Sequence, residues 1–405
     1  MEEAQGTATS AYVRLFLDVR LRTILICILL ASAMMSAIAP YVSLVGVTAL
    51  GLSPVAFSVI LVASSGVTVG IAVLAGALSD VVRNRLVVAL GLCLIGAIGY
   101  AAVFVFRNAT AFALATVLLI PFSAAVYSQL FALLRSVPQS SADRDATTSI
   151  VRALFALPWI VVPPAAAAFL IWFPGETNIY GISALFAVLC ALILLTLFGR
   201  LPPGAGGEGA GRRFLDGLAR LRSPALAGRV LILGLIYGAH KLHSSIMALI
   251  VVQNIGGSIG EVGRVAGLTA LLEVPMILLW GWLVPRLGKS TAVALGGLAF
   301  GAYLGGLWLV SDISQVYVLT PISACGSAAI LSVILVYVQE MLPDNPGLGT
   351  SLMTVTSFLG SAFSGLVFGI WGRDGAYQDL ALVGALMAVA GAVAIGLIDR
   401  RRSQG

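Results

Sequence analysis

The chain is poor in charge: only 10% of its 405 residues are Asp, Glu, Lys or Arg, against 60% hydrophobic residues and a mean hydropathy of +1.05. Soluble globular domains carry about a quarter of their residues charged, so no segment reads as one. Cysteine is also scarce. Cys27, Cys93, Cys190 and Cys325 fall inside apolar runs and form no Cys-x-x-Cys pair, which argues against a disulfide framework and a zinc site. No nucleophile and base or metal-ligand cluster appears, so the chain is expected to be no enzyme and to need no metal or cofactor. Gly288-Lys289-Ser290 does not make a phosphate-binding loop, because Leu283 stands where the earlier glycine is required. A cleavable leader is not expected either, since the stretch from Met1 to Leu21 carries Glu2, Glu3, Arg14, Asp18 and Arg20 and lacks a short apolar core with a small-residue cleavage site.

What is present in quantity is long apolar runs. Twelve stretches are long enough to cross a bilayer core of roughly 30 Å as helices. They lie near 23–45, 54–78, 86–106, 111–134, 147–171, 179–198, 230–251, 265–284, 291–310, 316–339, 350–370 and 379–398. The net charge of +6 might suggest nucleic acid as a partner, but the basic residues sit in the loops beside these spans, so no nucleic-acid partner is expected. With the N-terminus cytoplasmic, Arg107, Arg264 and Arg373 are the only basic residues in outer loops, Arg152 and Lys241 lie within spans, and the other 18 of 23 are inside. That asymmetry predicts a multi-pass membrane protein with both termini in the cytoplasm.

The longest connection, 199–229, begins Gly199-Arg200-Leu201-Pro202-Pro203-Gly204 and divides the spans six and six. It reads as a cytoplasmic linker between bundles at 23–198 and 230–398, with tails at 1–22 and 399–405. Its second part, Arg212 to Arg222, has apolar residues at helical spacing and is expected to lie along the anionic inner leaflet. The halves echo each other. Gly76 to Arg85 corresponds to Gly281 to Lys289 at an offset of 205, and Val126-Tyr127-Ser128-Gln129 corresponds to Val336-Tyr337-Val338-Gln339 at 210. Two matches at nearly one offset predict a duplicated six-span unit with a site at the repeat interface.

Over almost its whole length the sequence resembles the major facilitator superfamily. Gly76, Asp80 and Arg85 fit that superfamily's loop signature after span 2, while Val81 and Arg83 depart from it; the second copy keeps Gly281, Arg286, Gly288 and Lys289 but has Pro285 for the aspartate. Within the superfamily it is similar to bacterial sugar efflux transporters, through Gln129 to Arg135, Arg152 with Trp159 to Pro164, Leu272-Glu273-Val274-Pro275, and Gln339 to Pro343. The resemblance implies an all-α membrane protein with twelve transmembrane helices in two pseudo-symmetric six-helix bundles. It also implies a place in the bacterial inner membrane and a proton-driven exporter of sugars or glycoside-like solutes, in which spans 1, 2, 4, 5, 7, 8, 10 and 11 surround the cavity. The expected partners are a small solute, protons and the lipid bilayer, for a chain acting as a monomer. Export of amphipathic drugs by the same fold is the close alternative; a membrane receptor that moves no solute is a further one.

The most costly residues in the chain are His240, Lys241, His243 and Glu273, ionisable groups within spans 7 and 8. Counted from the turn at Gly256-Gly257, the histidines and Glu273 lie at similar depth, roughly 12 to 16 Å in, so acid and base are expected to meet near the midplane. All four are candidates for proton coupling, although Lys241 and His243 lie about 160° apart on the helix and cannot share one face. Helical spacing groups Tyr237, His240, His243, Ser244 and Met247 on span 7, Thr269, Glu273, Met276 and Trp280 on span 8, Arg152, Trp159 and Pro163 on span 5, and Ser32, Ser36 and Ser43 on span 1. Trp159 and Trp280 offer flat faces suited to a sugar ring, while Tyr127, Gln129, Tyr237, Tyr337, Gln339, Arg152 and Ser36 offer hydrogen-bonding groups for hydroxyls. Each of these also has a packing reading, and Arg152 can instead snorkel to the headgroups. The Ser/Thr stripe of span 11 lies beside Gly365-x3-Gly369, a pattern that close helix contact selects. Asp80, Arg83, Arg85, Arg286 and Lys289 are expected to latch the inner helix ends and to pair differently in different states.

Overall fold

A computed structural model describes residues 13–82, 84–200, 223–341 and 346–402. Within them run twelve helices long and apolar enough to cross a membrane. In chain order they are α1 (Val19–Ile38), α2 (Pro54–Val81), α3 (Arg85–Phe106), α4 (Ala109–Ser136), α5 (Ser141–Trp172), α6 (Asn178–Leu195), α7 (Pro224–Asn254), α8 (Ile259–Leu287), α9 (Lys289–Trp308), α10 (Ile313–Glu340), α11 (Pro346–Trp371) and α12 (Tyr377–Arg402). Among the described residues no strand occurs.

Local chemistry sets the helix starts. Asp18, Ser53, Asn84, Asn108, Ser140, Ser258 and Asp312 each accept a backbone N–H of the turn that follows, taking up donors the helix cannot satisfy itself. Asp18 also binds the Arg20 guanidinium at 2.9 Å, and that contact holds its carboxyl below the usual carboxylate range. α7 opens at Pro224, six residues earlier than apolar patterning predicts, because proline is preorganised for the first helical turn. The segment from Arg212 to Arg222 lies outside the described residues.

The two halves share more than a helix count. A π-helical segment at Leu44–Ala49 follows α1, and α7 ends in another at Ile250–Asn254, 206 positions later. This matches the offset of the sequence repeats and places the same local irregularity at the same end of each bundle.

The bundles touch along α2 with α11 and α5 with α8. Their tightest contacts lie toward one end, and Gly66, midway along α2, still reaches Phe358 of α11. Gly263 sits where a Cβ would come within 2.7 Å of the Pro163 carbonyl oxygen, so a bare backbone lets α8 press on α5. Gly365 does the same for α11 against Ser58 and Val62 of α2. Beside them Phe57 of α2 packs against Phe112 of α4 at 6.5 Å and Phe368 of α11 at 5.4 Å, and Phe368 stacks on Tyr377 of α12. Gln253 closes this end by donating to Thr48 Oγ1 at 2.6 Å.

Toward the other end the bundles diverge. Leu157 of α5 and Leu271 of α8 are about half exposed, and Arg152 is exposed. Ion pairs among the described residues, such as Arg14–Asp143, Arg229–Asp399 and Lys289–Glu340, each stay within one bundle.

Candidate functional site

The break in α5 follows from its prolines. Pro158 has no N–H, so the helix stops at Leu154 and restarts at Leu157, and Trp159 donates its N–H to the Ala156 carbonyl instead of that of Phe155. The freed carbonyl of Phe155 accepts from Ser32 at 2.7 Å, and the Pro158 carbonyl also accepts from Ser36 at 3.3 Å. Ser36 is therefore a bond between α1 and α5, fully buried, and not an open hydroxyl for a solute. The same break separates Arg152 from Trp159, so the single stripe expected on span 5 becomes two segments.

α8 carries the acid. Gly267 is the second of its close contacts with α5, and Glu273 lies six residues further on, about 9 Å along the axis, where the two helices part. Glu273 is half-buried, and its Oε1 accepts from the Ser327 hydroxyl of α10 at 2.5 Å. The predicted stripe Thr269, Glu273, Met276 and Trp280 holds as a stripe, turned roughly 80° to 140° from the face that meets α5. Trp280 at its far end is 4% exposed and donates its indole N–H to the Cys325 carbonyl of α10 at 2.9 Å, so it packs inside the bundle.

The histidines do not meet Glu273. His243 shares a 2.8 Å hydrogen bond with the Tyr303 hydroxyl of α9, and its ring meets Phe300 edge-on. His240 lies 5.5 Å from the Phe300 ring. Lys241 points elsewhere, 5.6 Å over the Tyr237 ring, with exposed Ser244 one turn on. The expected stripe Tyr237–His240–His243–Ser244–Met247 thus divides: His243 and Met247 turn toward Tyr303 inside the bundle, while Tyr237, Lys241 and Ser244 share another face. Among the described residues no ion pair within 4.0 Å includes Glu273, which corrects the expectation that acid and base meet directly. Equal depth on neighbouring helices does not fix facing, and here both polar groups turn toward α9 and α10.

The other candidates scatter. Tyr127 packs between Phe131 and Phe155 at 4.6 and 4.5 Å with tilted rings, and Arg152 lies 5.9 Å over the Phe131 ring. With Arg135, Arg144, Asp145, Thr148 and Ser149, Arg152 lines a hollow of about 570 Å³ at the diverging end of α4 and α5. Gln129 is buried and donates to the Ala75 carbonyl of α2 at 3.4 Å. Trp159 and Gln339 are half-buried. Tyr337 donates to Asp399 at 2.7 Å, and Asp399 in turn pairs with buried Arg229 at 2.8 Å. Tyr337 therefore belongs to a cluster joining the ends of α7, α10 and α12 instead of a solute path.

Of the expected latches, Lys289 pairs with Glu340, joining the start of α9 to the end of α10, and Arg286 lies 3.9 Å over the Trp282 ring of its own helix. Arg85 opens α3. The Asp80 side chain and all of Arg83 lie outside the described residues.

Sequence reasoning missed Ser327, Ser323 and Tyr303. The two serines are one turn apart within span 10, and the spacing test used on span 7 would have flagged them.

The sequence model of the family described as Major Facilitator Superfamily matches residues 24–365. A Deinococcus radiodurans protein assigned as a sugar efflux transporter is 26% identical over 90% of this chain and 94% of its own length. Sugar efflux transporter A of Dickeya chrysanthemi is 27% identical over 78% and 79%, and its Escherichia coli namesake 24% identical over 74% and 76%. Among solved structures, the nucleoside transporter NupG superposes with a TM-score of 0.78 at 15% identity, covering 94% of this chain and 99% of NupG. The POT family transporter PepTSo gives 0.75 at 12%, covering 95% and 98%.

Proposed function

The chain belongs to the Major Facilitator Superfamily and is a multi-pass secondary transporter, not an enzyme; from that premise we propose that it exports sugars or glycoside-like solutes in exchange for protons, by alternating access. The sugar assignment is supported by relatives whose descriptions name sugar efflux, at 23% to 27% identity. Alternating access is supported by a bundle pair joined by glycine contacts, an aromatic seal and the Gln253–Thr48 bond at one end and diverging at the other. With eighteen basic residues on the side of the linker and tails, the diverging end is the cytoplasmic one, so this conformation is inward-open.

The observation that carries proton coupling is the position of Glu273. It is the ionisable group where α8 leaves α5, half-buried, with a hydroxyl and, among the described residues, no cation within 4.0 Å for a partner. A carboxyl so placed can exchange a proton with water in the cavity when the bundles part and lose that access when they close. The rest of the mechanism is geometry: the solute and the proton meet the same seam from alternate sides, and neither leaks when the seam is shut.

The test is flux in liposomes with an imposed pH gradient and a panel of sugars. Glu273→Gln is expected to abolish proton-driven flux while leaving solute counterflow within about threefold of the parent. Driven flux unchanged in that variant removes Glu273 from the role.

A further inference from the structure

The Ser327 hydroxyl has one hydrogen and two acceptors. Its Oγ lies 2.5 Å from Glu273 Oε1 and 2.8 Å from the carbonyl oxygen of Ser323, one turn earlier on α10. A hydroxyl donates once but can accept at the same time. Other hydroxyls of this helix are simpler: Thr320 and Ser332 donate to the carbonyls of Val316 and Ala328 and, among the described residues, bond to no carboxyl.

That arrangement suits both forms of the acid. When Glu273 is ionised, Ser327 gives its hydrogen to Oε1 as a charge-assisted bond. When Oε1 carries a proton, the new O–H donates to Ser327 Oγ, and the serine turns its own hydrogen to the Ser323 carbonyl. A proton arriving on Oε2 leaves Oε1 an acceptor, and the first bond persists. In each case no buried polar atom is orphaned, and nothing heavier than hydrogen has to move.

We propose that Ser327 is the positioning residue that keeps Glu273 hydrogen-bonded to α10 in both protonation states, so that the carboxyl can bind and release a proton without swinging away from the helix. The inference rests on the reading of Glu273 as the coupling acid. The proton comes from cavity water and returns to it: an O–H bond forms at Glu273 on uptake and breaks on release, and Ser327 gains and loses no proton.

The titratable groups of the neighbouring helices are directed elsewhere. On α7, Lys241 lies over Tyr237, His240 lies against Phe300 and His243 is bound to Tyr303 of α9. On α5, Arg152 lies over Phe131. On α10, Cys325 accepts from Trp280 through its carbonyl, and Tyr317 accepts from Arg264 at 3.2 Å toward the sealed end. Among the described residues none of these pairs with Glu273, which leaves Ser327 to set the balance between the two forms.

Ser327→Ala and Ser327→Thr in the full chain, reconstituted in liposomes, test this. A bond to a charged acceptor is roughly twice as strong as a neutral one, so losing the hydroxyl costs the ionised form more. In Ser327→Ala the pH of half-maximal driven flux is expected to rise by roughly half to one unit, with solute counterflow kept within about twofold. Ser327→Thr is expected to return it to the parental value. Infrared spectra of the purified proteins give a second readout: the protonated Glu273 C=O stretch should move to higher frequency in Ser327→Ala, even if that variant transports poorly. A pH profile and a carboxyl band both superimposable on the parent overturn the role of Ser327. If Glu273→Gln abolishes driven flux while Ser327→Ala changes neither readout, only the serine's role fails; if Glu273→Gln still drives flux, the coupling reading fails and takes this inference with it.

Discussion

Arg229 is 8% exposed at the base of the C-terminal bundle, and a guanidinium in that position has to find its counter-charge inside the protein. Asp399 supplies it from α12 at 2.8 Å, and Tyr337 of α10 donates to the other carboxylate oxygen at 2.7 Å. Three helices are thereby tied through one carboxylate. Asp399→Ala leaves the arginine buried and uncompensated and is expected to cost on the order of 3 kcal/mol, read as thermal unfolding in detergent. Tyr337→Phe removes one bond to a charged acceptor and should cost roughly half as much, about 1.5 kcal/mol, without changing the apparent affinity for solute. A changed affinity with unchanged stability would return Tyr337 to the solute path. Sequence patterning identified Tyr337, Gln129, Ser36 and Trp280 as polar or aromatic residues on cavity-forming spans, and at this scale it stopped there. Periodicity tells which residues share a face, while the identity of the facing helix depends on contacts between residues a hundred positions apart, such as Ser36 with Pro158.

At the scale of the element, the signals in the sequence were mostly local and mostly legible. Length and apolarity locate all twelve helices, since a bilayer core demands both, but α5, α7 and α8 each start six residues before the apolar stretch, because helix starts follow caps and prolines such as Ser140, Pro224 and Ser258 and not the apolar boundary. The break in α5 was readable in principle from Pro158, but the serines that answer it sit on α1. α1 itself begins at a cap that makes a defined prediction. Asp18 accepts the Arg20 backbone N–H at 2.8 Å and binds its guanidinium, so Asp18→Ala should destabilise the first turn by about 1 kcal/mol, seen as faster amide exchange over residues 19–23. Its carboxyl is held below the ordinary range, chiefly by the Arg20 side chain. The contribution is therefore complete above the unfolded value near 3.9 and is lost only as pH falls through the lower folded value. Amide exchange at the start of α1 should accordingly be unaffected by this cap between pH 5 and 8, and any pH dependence of transport in that window has to arise elsewhere.

For the whole molecule the decisive asymmetry is between ends. One end holds Gly263 and Gly365 in backbone contact with the opposite bundle, Phe57 between Phe112 and Phe368, and Gln253 on Thr48; at the other the ion pairs among the described residues stay inside their own bundles. A molecule built this way has a seal made of contacts that can separate as a face, with no buried charge among the described residues to expose when they do. Opening then needs a shift of two packed surfaces, which interfaces allow as a switch between discrete states. Two consequences follow from the same geometry and point in opposite directions. Gly263→Val places atoms where the Pro163 carbonyl and the Tyr41 hydroxyl already stand, so it should disfavour the sealed state; driven flux is expected to fall at least about tenfold, and Gln253→Cys added to it should become more reactive to an impermeant thiol reagent from the outside. Conversely, Thr48→Cys with Gln253→Cys, bridged by a short bifunctional thiol reagent of cleavable type, should hold the seal shut, stop flux, and release it on cleavage. Flux that continues through the bridged protein would mean that this end never opens during transport, and that the solute takes a route other than the seam between the bundles.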